Sequence, residues 1–394
     1  MLPEGIQRIP MRRWENKHQN FKQKLNKKAS FKIQNPDSVT KSADRYRAST
    51  KNFQWLIQHA QANNLKMRAL GSGWSFSKVG VTDGGIIDTK SLSLTFTVSE
   101  DHINDQYVGQ KEDLLFCQCG IAIETLNVIL EEKLDPKRSL KASGASNGQS
   151  IVGAMSTGTH GSAFDVGSLQ DFVVGLHLVV GANRHVYIER SSYPVVNDGF
   201  KNWLGDDTEW IRDDTVFNAA LVCFGSFGFI HGVMIETEPI YLLQEERGMV
   251  QYDEALRECI DTLNFDLIED KLAFPANTSD KQLYHFEMVV NPHRFHIGAS
   301  DNEVFLKTLY KKPYKSGYQK RPAPDAKYTY GDDLLGLIQS VLDAMPRLSH
   351  HYIPSLVNML FPLAFTDKIE GEGTVGETFT YTKFRGKVAS AALG

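Results

Sequence analysis

The sequence predicts an α+β protein with a change of texture near residue 245. Three observations lead there. Short strands and amphipathic helices are interleaved along the first part of the chain. Two stretches built almost wholly of small residues interrupt that part, at 71–76 and 143–161. Beyond 245, helical patterns at 253–264, 302–311 and 332–345 alternate with strands near 267–273 and 284–290. The division this gives is a basic arm at 1–45, a domain at 46–245 and a second domain at 246–394.

The elements follow in order. Phe53, Leu56, Ile57 and Ala60 have helical spacing over 50–64, and Asn63-Asn64 ends the run. Lys66 to Leu70 reads as a strand that enters Gly71-Ser72-Gly73-Trp74-Ser75-Phe76. Gly85-Ile86-Ile87-Asp88, 93–98 and 114–119 read as further strands. Ile121 to Lys133 is expected as a helix with Leu126, Ile129 and Leu130 inward. Strands follow at 171–181, 184–190 and 228–238.

Composition narrows the function. The 394 residues are 41% hydrophobic and 23% charged, with 43 Lys plus Arg against 47 Asp plus Glu and a net charge of −4. That balance argues against nucleic-acid binding by bulk electrostatics. The basic residues Arg8, Arg12, Arg13, Lys17, Lys22, Lys24, Lys27, Lys28 and Lys32 cluster in the arm, which is expected to be a solvated segment. No apolar run reaches the ~18 residues a membrane span requires. The N-terminus has no continuous apolar stretch of the secretory kind, so a cytoplasmic location is expected and the sequon Asn277-Thr278-Ser279 reads as accidental. Cys117, Cys119, Cys223 and Cys259 are expected as buried free thiols. No Cys/His spacing suggests a metal site, and His293, His296, His350 and His351 read as surface histidines.

The small-residue stretches carry the chemistry. Such segments let backbone N–H groups approach an anion closely, and two of them suit one extended ligand such as a dinucleotide pyrophosphate; they would equally allow tight packing of strands and helices. Gly71-Ser72-Gly73 begins like a nicotinamide-binding fingerprint, but Phe76 stands where its third Gly should be and no helix follows. Gly144-Ala145-Ser146-Asn147-Gly148 matches the nucleophile elbow of serine hydrolases in form alone, since no apolar strand precedes it. A P-loop is absent from the sequence.

Arg68 to Phe76, then Ser156-Thr157-Gly158-Thr159-His160-Gly161, then Gly225-Ser226-Phe227-Gly228-Phe229-Ile230 resemble, in that order, the FAD domain of the vanillyl-alcohol-oxidase and p-cresol-methylhydroxylase family. The sugar-lactone and polyol oxidases look most similar. The resemblance implies a two-subdomain FAD-binding domain over 46–245 followed by an α/β cap that holds the substrate. It implies that Leu70, Gly71, Ser72, Gly73, Trp74, Ser75 and Phe76 form the first phosphate-cradling loop. Gly144, Ala145, Ser150 and Gly153 would line flavin and pyrophosphate, with Thr157, Gly158, Thr159 and His160 continuing that wall. Ile230 would hold the adenine side.

Many members attach the flavin covalently to a His that follows Gly-x-Gly in the first loop. This chain has Trp74 there, so FAD is expected to be non-covalent. Gly144 stands near a position that controls oxygen access in the lactone and polyol branch, and its small size favours an oxidase. The implied reaction is hydride transfer from a CH–OH carbon of a small hydroxylated substrate, a sugar lactone or polyol, to flavin N5, with oxygen reoxidising the flavin to give hydrogen peroxide. A dehydrogenase using another acceptor, and a flavin-binding fragment without turnover, are the alternatives. Alternation along His285-Phe286-Glu287 puts His285 and Glu287 on one face, either as a solvent-facing pair or as catalytic groups. The family's C-terminal His-Trp-Gly-Lys run does not occur, so the cap is expected to be incomplete.

Overall fold

The computed structural model describes residues 2–143, 147–272, 282–320, 353–355, 357–359, 361 and 369–378. They form two compact units, one of residues 1–161 and 167–239, the other of 162–166 and 240–394. Strand β15 (Tyr241–Gln251) runs unbroken through residue 245.

The first unit contains two main sheets. One has the order β1 (Ile6–Arg8), β4 (Phe31–Gln34), β6 (Gly85–Ser91), β5 (Met67–Leu70). β5 and β6 are parallel, as are β4 and β6, while β1 is antiparallel to β4. Phe31 and Ile33 alternate inward from β4 and are fully buried, with Ile6 and Ile87, against Phe53 and Leu56 of helix α1 (Ser42–Ala62). Burial of each large apolar side chain of this kind stabilises the fold by roughly 1.5–3 kcal/mol.

The segment expected as a solvated arm is therefore folded into this unit. On β4, Lys32 alternates with the buried Phe31 and Ile33, and on β2, Arg13 is exposed beside the half-buried Trp14. Arg13 and Lys24 are partners across the hairpin of β2 (Arg13–Glu15) and β3 (Lys22–Lys24). Local charge masked a period-2 pattern only three or four residues long.

The second sheet follows the order β12 (Glu209–Arg212), β11 (Arg184–Glu189), β10 (Val173–Gly181), β13 (Phe229–Glu236), β8 (Leu114–Gln118), β7 (Thr95–Thr97). Both of its faces are buried, and the pleat sorts the residues. Leu115, Cys117, Val233, Ile235, Val186 and Ile188 enter one core with Phe217 and Leu221 of helix α5 (Asp214–Leu221). Leu114, Phe116, Met234 and Tyr187 enter the other with Tyr46, Phe200 and Leu204. The helix expected over 121–133 is α2 (Ile123–Val128) followed by one π turn over Ile129–Lys133.

In the second unit, β16 (Gln282–Val289), β17 (Glu303–Pro313), β15 and β18 (Ile369–Gly373) form an antiparallel sheet in the order β16-β17-β15-β18. Helix α6 (Glu254–Thr262) starts where the Asp253 carboxylate accepts from the Leu256 N–H, and it buries Leu256 and Cys259. Two expectations fail here. Residues 302–311 are a strand rather than a helix, because every residue from Glu303 to Pro313 pairs with β15. Its apolar run Val304-Phe305-Leu306 and Leu309-Tyr310 fits either period, and ladder pairing decides it. The strand near 267–273 is a single 3-10 turn at Phe265–Ile268 as far as the described residues reach. The helix expected at 332–345 lies outside the described residues. Among the described residues, no helix is long and apolar enough to cross a membrane. No group of three or more His, Cys, Asp or Glu side chains could hold a metal there. All four cysteines are free and buried.

Candidate functional site

The site in the first unit starts where β5 ends. After Leu70 the chain passes Gly71, at which a Cβ atom would lie 2.0 Å from Ser150 Oγ. The two small-residue segments thus meet closely, and only glycine permits the approach. Gly73 has φ +71°, a left-handed conformation open to glycine. The ring of Trp74 lies over Gly148, where an added Cβ would come within 2.3 Å of it. The chain beyond Ser150 turns into the short helix α3 (Ile151–Ser156), which buries Ile151, Ala154 and Met155.

These segments enclose a cavity of about 440 Å³. Its first wall is the continuous run Arg68 to Phe76, and its second comes from Gln149, Ser150, Val152, Gly153 and Ala154. Thr157, Thr159 and Ile230 complete it, with Phe224, Gly225 and Gly228 from the loop before β13. The Arg68 guanidinium donates to the Phe224 carbonyl and brings a cation to this wall. Thr89 Oγ1 donates to the Leu70 carbonyl at 3.2 Å and fixes the start of the loop. Gln149 Oε1 is buried and has no hydrogen-bond partner among the described residues. Cys119 also lines the cavity, and burial pushes its thiol up to about 12, which keeps it protonated and unreactive.

Of the residues singled out in the sequence, Leu70, Gly71, Ser72, Gly73, Trp74, Ser75, Phe76, Ser150, Gly153, Thr157, Thr159 and Ile230 line this cavity. Gly158, at φ +68°, and His160, whose Nδ1 lies 2.8 Å from the Gly161 carbonyl, flank Thr159 without lining it. Gly144 and Ala145 lie outside the described residues. The sequence reading assigned no role to Arg68, Gln149, Val152 or Phe224. Arg68 opens the first recognised motif, where only residues 70–76 were given roles, and Phe224 stands one residue before the third, so reading each motif to its edge would have found them.

His285 and Glu287 belong to the second unit and do meet. His285 Nε2 lies 3.4 Å from Glu287 Oε2, and His285 Nδ1 lies 2.9 Å from Ser162 Oγ. His285 is buried, whereas the Glu287 side chain is 43% exposed. The hydrogen bond from His285 draws the Glu287 carboxyl down to about 2, with Lys307 at 3.4 Å adding to the effect. An acid that strong stays ionised at neutral pH and makes a poor general base; it suits orienting the imidazole.

A loop rich in N–H groups, a facing wall of mostly small residues, a cation and an unpartnered amide oxygen together fit an extended anionic dinucleotide with a flat heterocycle. The first unit contains an FAD-binding domain: residues 46–186 match the family model described as FAD binding domain. The fold is that of the cholesterol oxidase of B. sterolicum, with a TM-score of 0.53 at 14% identity over 97% of this chain and 59% of that one. A carbohydrate oxidase from Microdochium nivale gives a TM-score of 0.51 at 13% identity over 94% and 59% of the two chains.

Among proteins similar in sequence, the L-gulono-1,4-lactone dehydrogenase of Mycobacterium tuberculosis is 24% identical over 320 residues, covering 79% of this chain and 59% of that protein. The D-arabinono-1,4-lactone oxidase of Yarrowia lipolytica is 23% identical over 54% of this chain and 35% of its own length. The chain thus spans well under two thirds of the length of these relatives.

Proposed function

We propose that this chain binds FAD without a covalent bond and oxidises a CH–OH group of a small hydroxylated substrate, of the sugar-lactone or polyol class, with oxygen as electron acceptor. The observation that carries the reading is the cavity at the end of β5, where Gly71 and Ser150 bring two N–H-rich segments together. The lactone-oxidising names of the relatives supply the substrate class. Bound FAD would supply the hydride acceptor for the substrate C–H, and oxygen would take up the two electrons as hydrogen peroxide. The residues of this chain bind and orient. N–H groups of 71–76 and the Arg68 cation meet the diphosphate charge, while Val152 and Ile230 offer apolar contact to flat rings. Trp74 cannot form the covalent link that a histidine there would make.

In the second unit, His285 Nε2 faces the ionised Glu287, and Nδ1 lies 2.9 Å from the Ser162 hydroxyl and 3.3 Å from the Ser162 carbonyl. His285 is the group proposed to take the substrate hydroxyl proton, with the substrate hydroxyl replacing that of Ser162 at Nδ1 and Glu287 stabilising the imidazolium that results. The dehydrogenase name of the mycobacterial relative favours a second reading, in which another acceptor replaces oxygen.

The first test is an absorption spectrum of the purified chain before and after acid precipitation, followed by incubation with 1,4-lactones and polyols in air. Flavin bands that move wholly into the supernatant are expected, with substrate bleaching and peroxide formation. Yellow colour held in the pellet would overturn the non-covalent reading. Bleaching without peroxide would select the dehydrogenase, and a flavin spectrum that no lactone or polyol bleaches would leave a flavin-binding protein without this activity.

A further inference from the structure

The carbonyl side of the cofactor loop is already occupied by the chain's own N-terminal segment. The Lys17 N–H donates to the Gly73 carbonyl at 2.8 Å. Asn16 Nδ2 donates to the Ser75 carbonyl at 3.0 Å, and Asn20 Nδ2 to the Phe76 carbonyl at 2.9 Å. The side chains add a second layer. The His18 ring stacks on Phe76, with centroids 3.9 Å apart and planes 11° from parallel, and meets Trp74 edge-on at 5.4 Å. Lys17 Nζ lies 5.9 Å from the centre of the Trp74 ring. Asn16 is braced in turn, since its Oδ1 accepts from the Asn20 N–H at 3.1 Å.

Three donations to carbonyls of one loop have a physical consequence. A Gly/Ser loop left alone can collapse so that its own N–H and C=O groups pair, and ordering it again costs binding energy. Donors that take the carbonyls of Gly73, Ser75 and Phe76 block that collapse. They also neutralise the partial negative charge that would repel an anionic ligand. We propose that residues 16–20 are a strap that holds loop 71–76 in its cofactor-binding conformation, with Asn20 and His18 as positioning residues for FAD. The proposal rests on the flavin reading above, and its test separates the two.

The measurement is FAD affinity of the full-length, flavin-stripped protein, read by flavin fluorescence, together with the Tm of the same flavin-free samples. Asn20 is exposed, so Asn20→Asp should fold while it turns a donor into an acceptor that faces the Phe76 carbonyl. Asn20→Asp and His18→Ala should each weaken FAD binding about fivefold or more, the worth of one hydrogen bond or ring contact. The flavin-free Tm should stay within about two degrees, and His18→Phe, which keeps the stack, should restore affinity. Wild-type affinity in both weakened variants would overturn the strap, as would a loss of Tm that parallels the loss of affinity. If even the wild type takes up no FAD, the flavin reading falls, and hydrogen exchange at the amides of 71–76 then decides the strap. Faster exchange in Asn20→Asp supports it and unchanged exchange overturns it.

Discussion

Gly71 and Ser150 show how a single hydrogen atom decides the site. A methyl group at 71 would sit 2.0 Å from Ser150 Oγ and 3.0 Å from Ser150 Cβ. Rotating the serine relieves the first clash and leaves the second, so the two walls of the cavity must part. Overpacking of this kind costs about 1–3 kcal/mol. Ser150 Oγ makes no capping bond to α3, so its removal costs little. Gly71→Ala is therefore expected to lower both Tm and FAD affinity, and Gly71→Ala combined with Ser150→Gly to recover most of both. A single variant that binds FAD like the wild type would show that the close approach is not what the cofactor requires. Glycines such as Gly71 were legible in the sequence because a small residue inside a recognised motif has few other uses. The roles of Gln149 and Arg68 were not, because a single polar residue within a recognised segment shows no role until the fold shows what it faces.

At the scale of elements, α1, β10, β11 and β13 are joined by a buried polar chain. Asp207, drawn down to about 2 chiefly by its hydrogen bond from Lys51, is ionised and accepts from His185 Nε2 at 3.0 Å. His185 Nδ1 lies 2.9 Å from His177 Nε2, and His177 Nδ1 lies 2.6 Å from the Tyr46 hydroxyl. His231 stacks on Tyr46 at 4.0 Å and lies 3.1 Å from Gln118 Nε2 and 3.0 Å from Thr50 Oγ1. Gln118 is itself held by Asn35, and Tyr187 and Cys119 stand near Tyr46 as further neutral groups. Burial pushes His177 well below its usual value and His231 to about 3. A histidine held neutral in the folded state stabilises the protein fully above 6.5 and loses that contribution as the pH falls. Each of the two should then cost on the order of 1.4 kcal/mol per pH unit below about 6. Urea unfolding followed from pH 7.5 to 5 is expected to show a steadily falling midpoint, and a flat midpoint would mean that these histidines bind protons equally in both states. None of this chain could be read from sequence, where the three histidines stand among strand residues at separations that only sheet register brings together. The same limit explains residues 303–313: a run that fits two periods was assigned by local pattern, and pairing along all of β15 made it a strand.

For the whole molecule, the division into two units makes a sharper test than either alone. The cavity-lining residues fall between Arg68 and Ile230, all within the first unit. The cores of that unit draw on its own helices and strands, such as Phe53 with Phe31 and Phe217 with Ile188. The acid–base candidates His285, Glu287 and Ser162 all belong to the second. On the proposed function, cofactor binding and proton transfer fall to separate units, and they should separate on truncation. A fragment of residues 1–239 is expected to fold, to take up FAD with an affinity within about tenfold of the full chain, and to show no bleaching by lactones or polyols. Residues 162–166 would become a free surface loop in it, a tolerable loss because short loops close at small entropic cost. Circular dichroism and thermal unfolding report the folding, and flavin fluorescence the binding. A folded fragment that takes up no FAD would show that the first unit does not hold a complete cofactor site. A fragment that still oxidises substrate would remove His285 and Glu287 from the chemistry and return the search for a base to the walls of the flavin cavity itself.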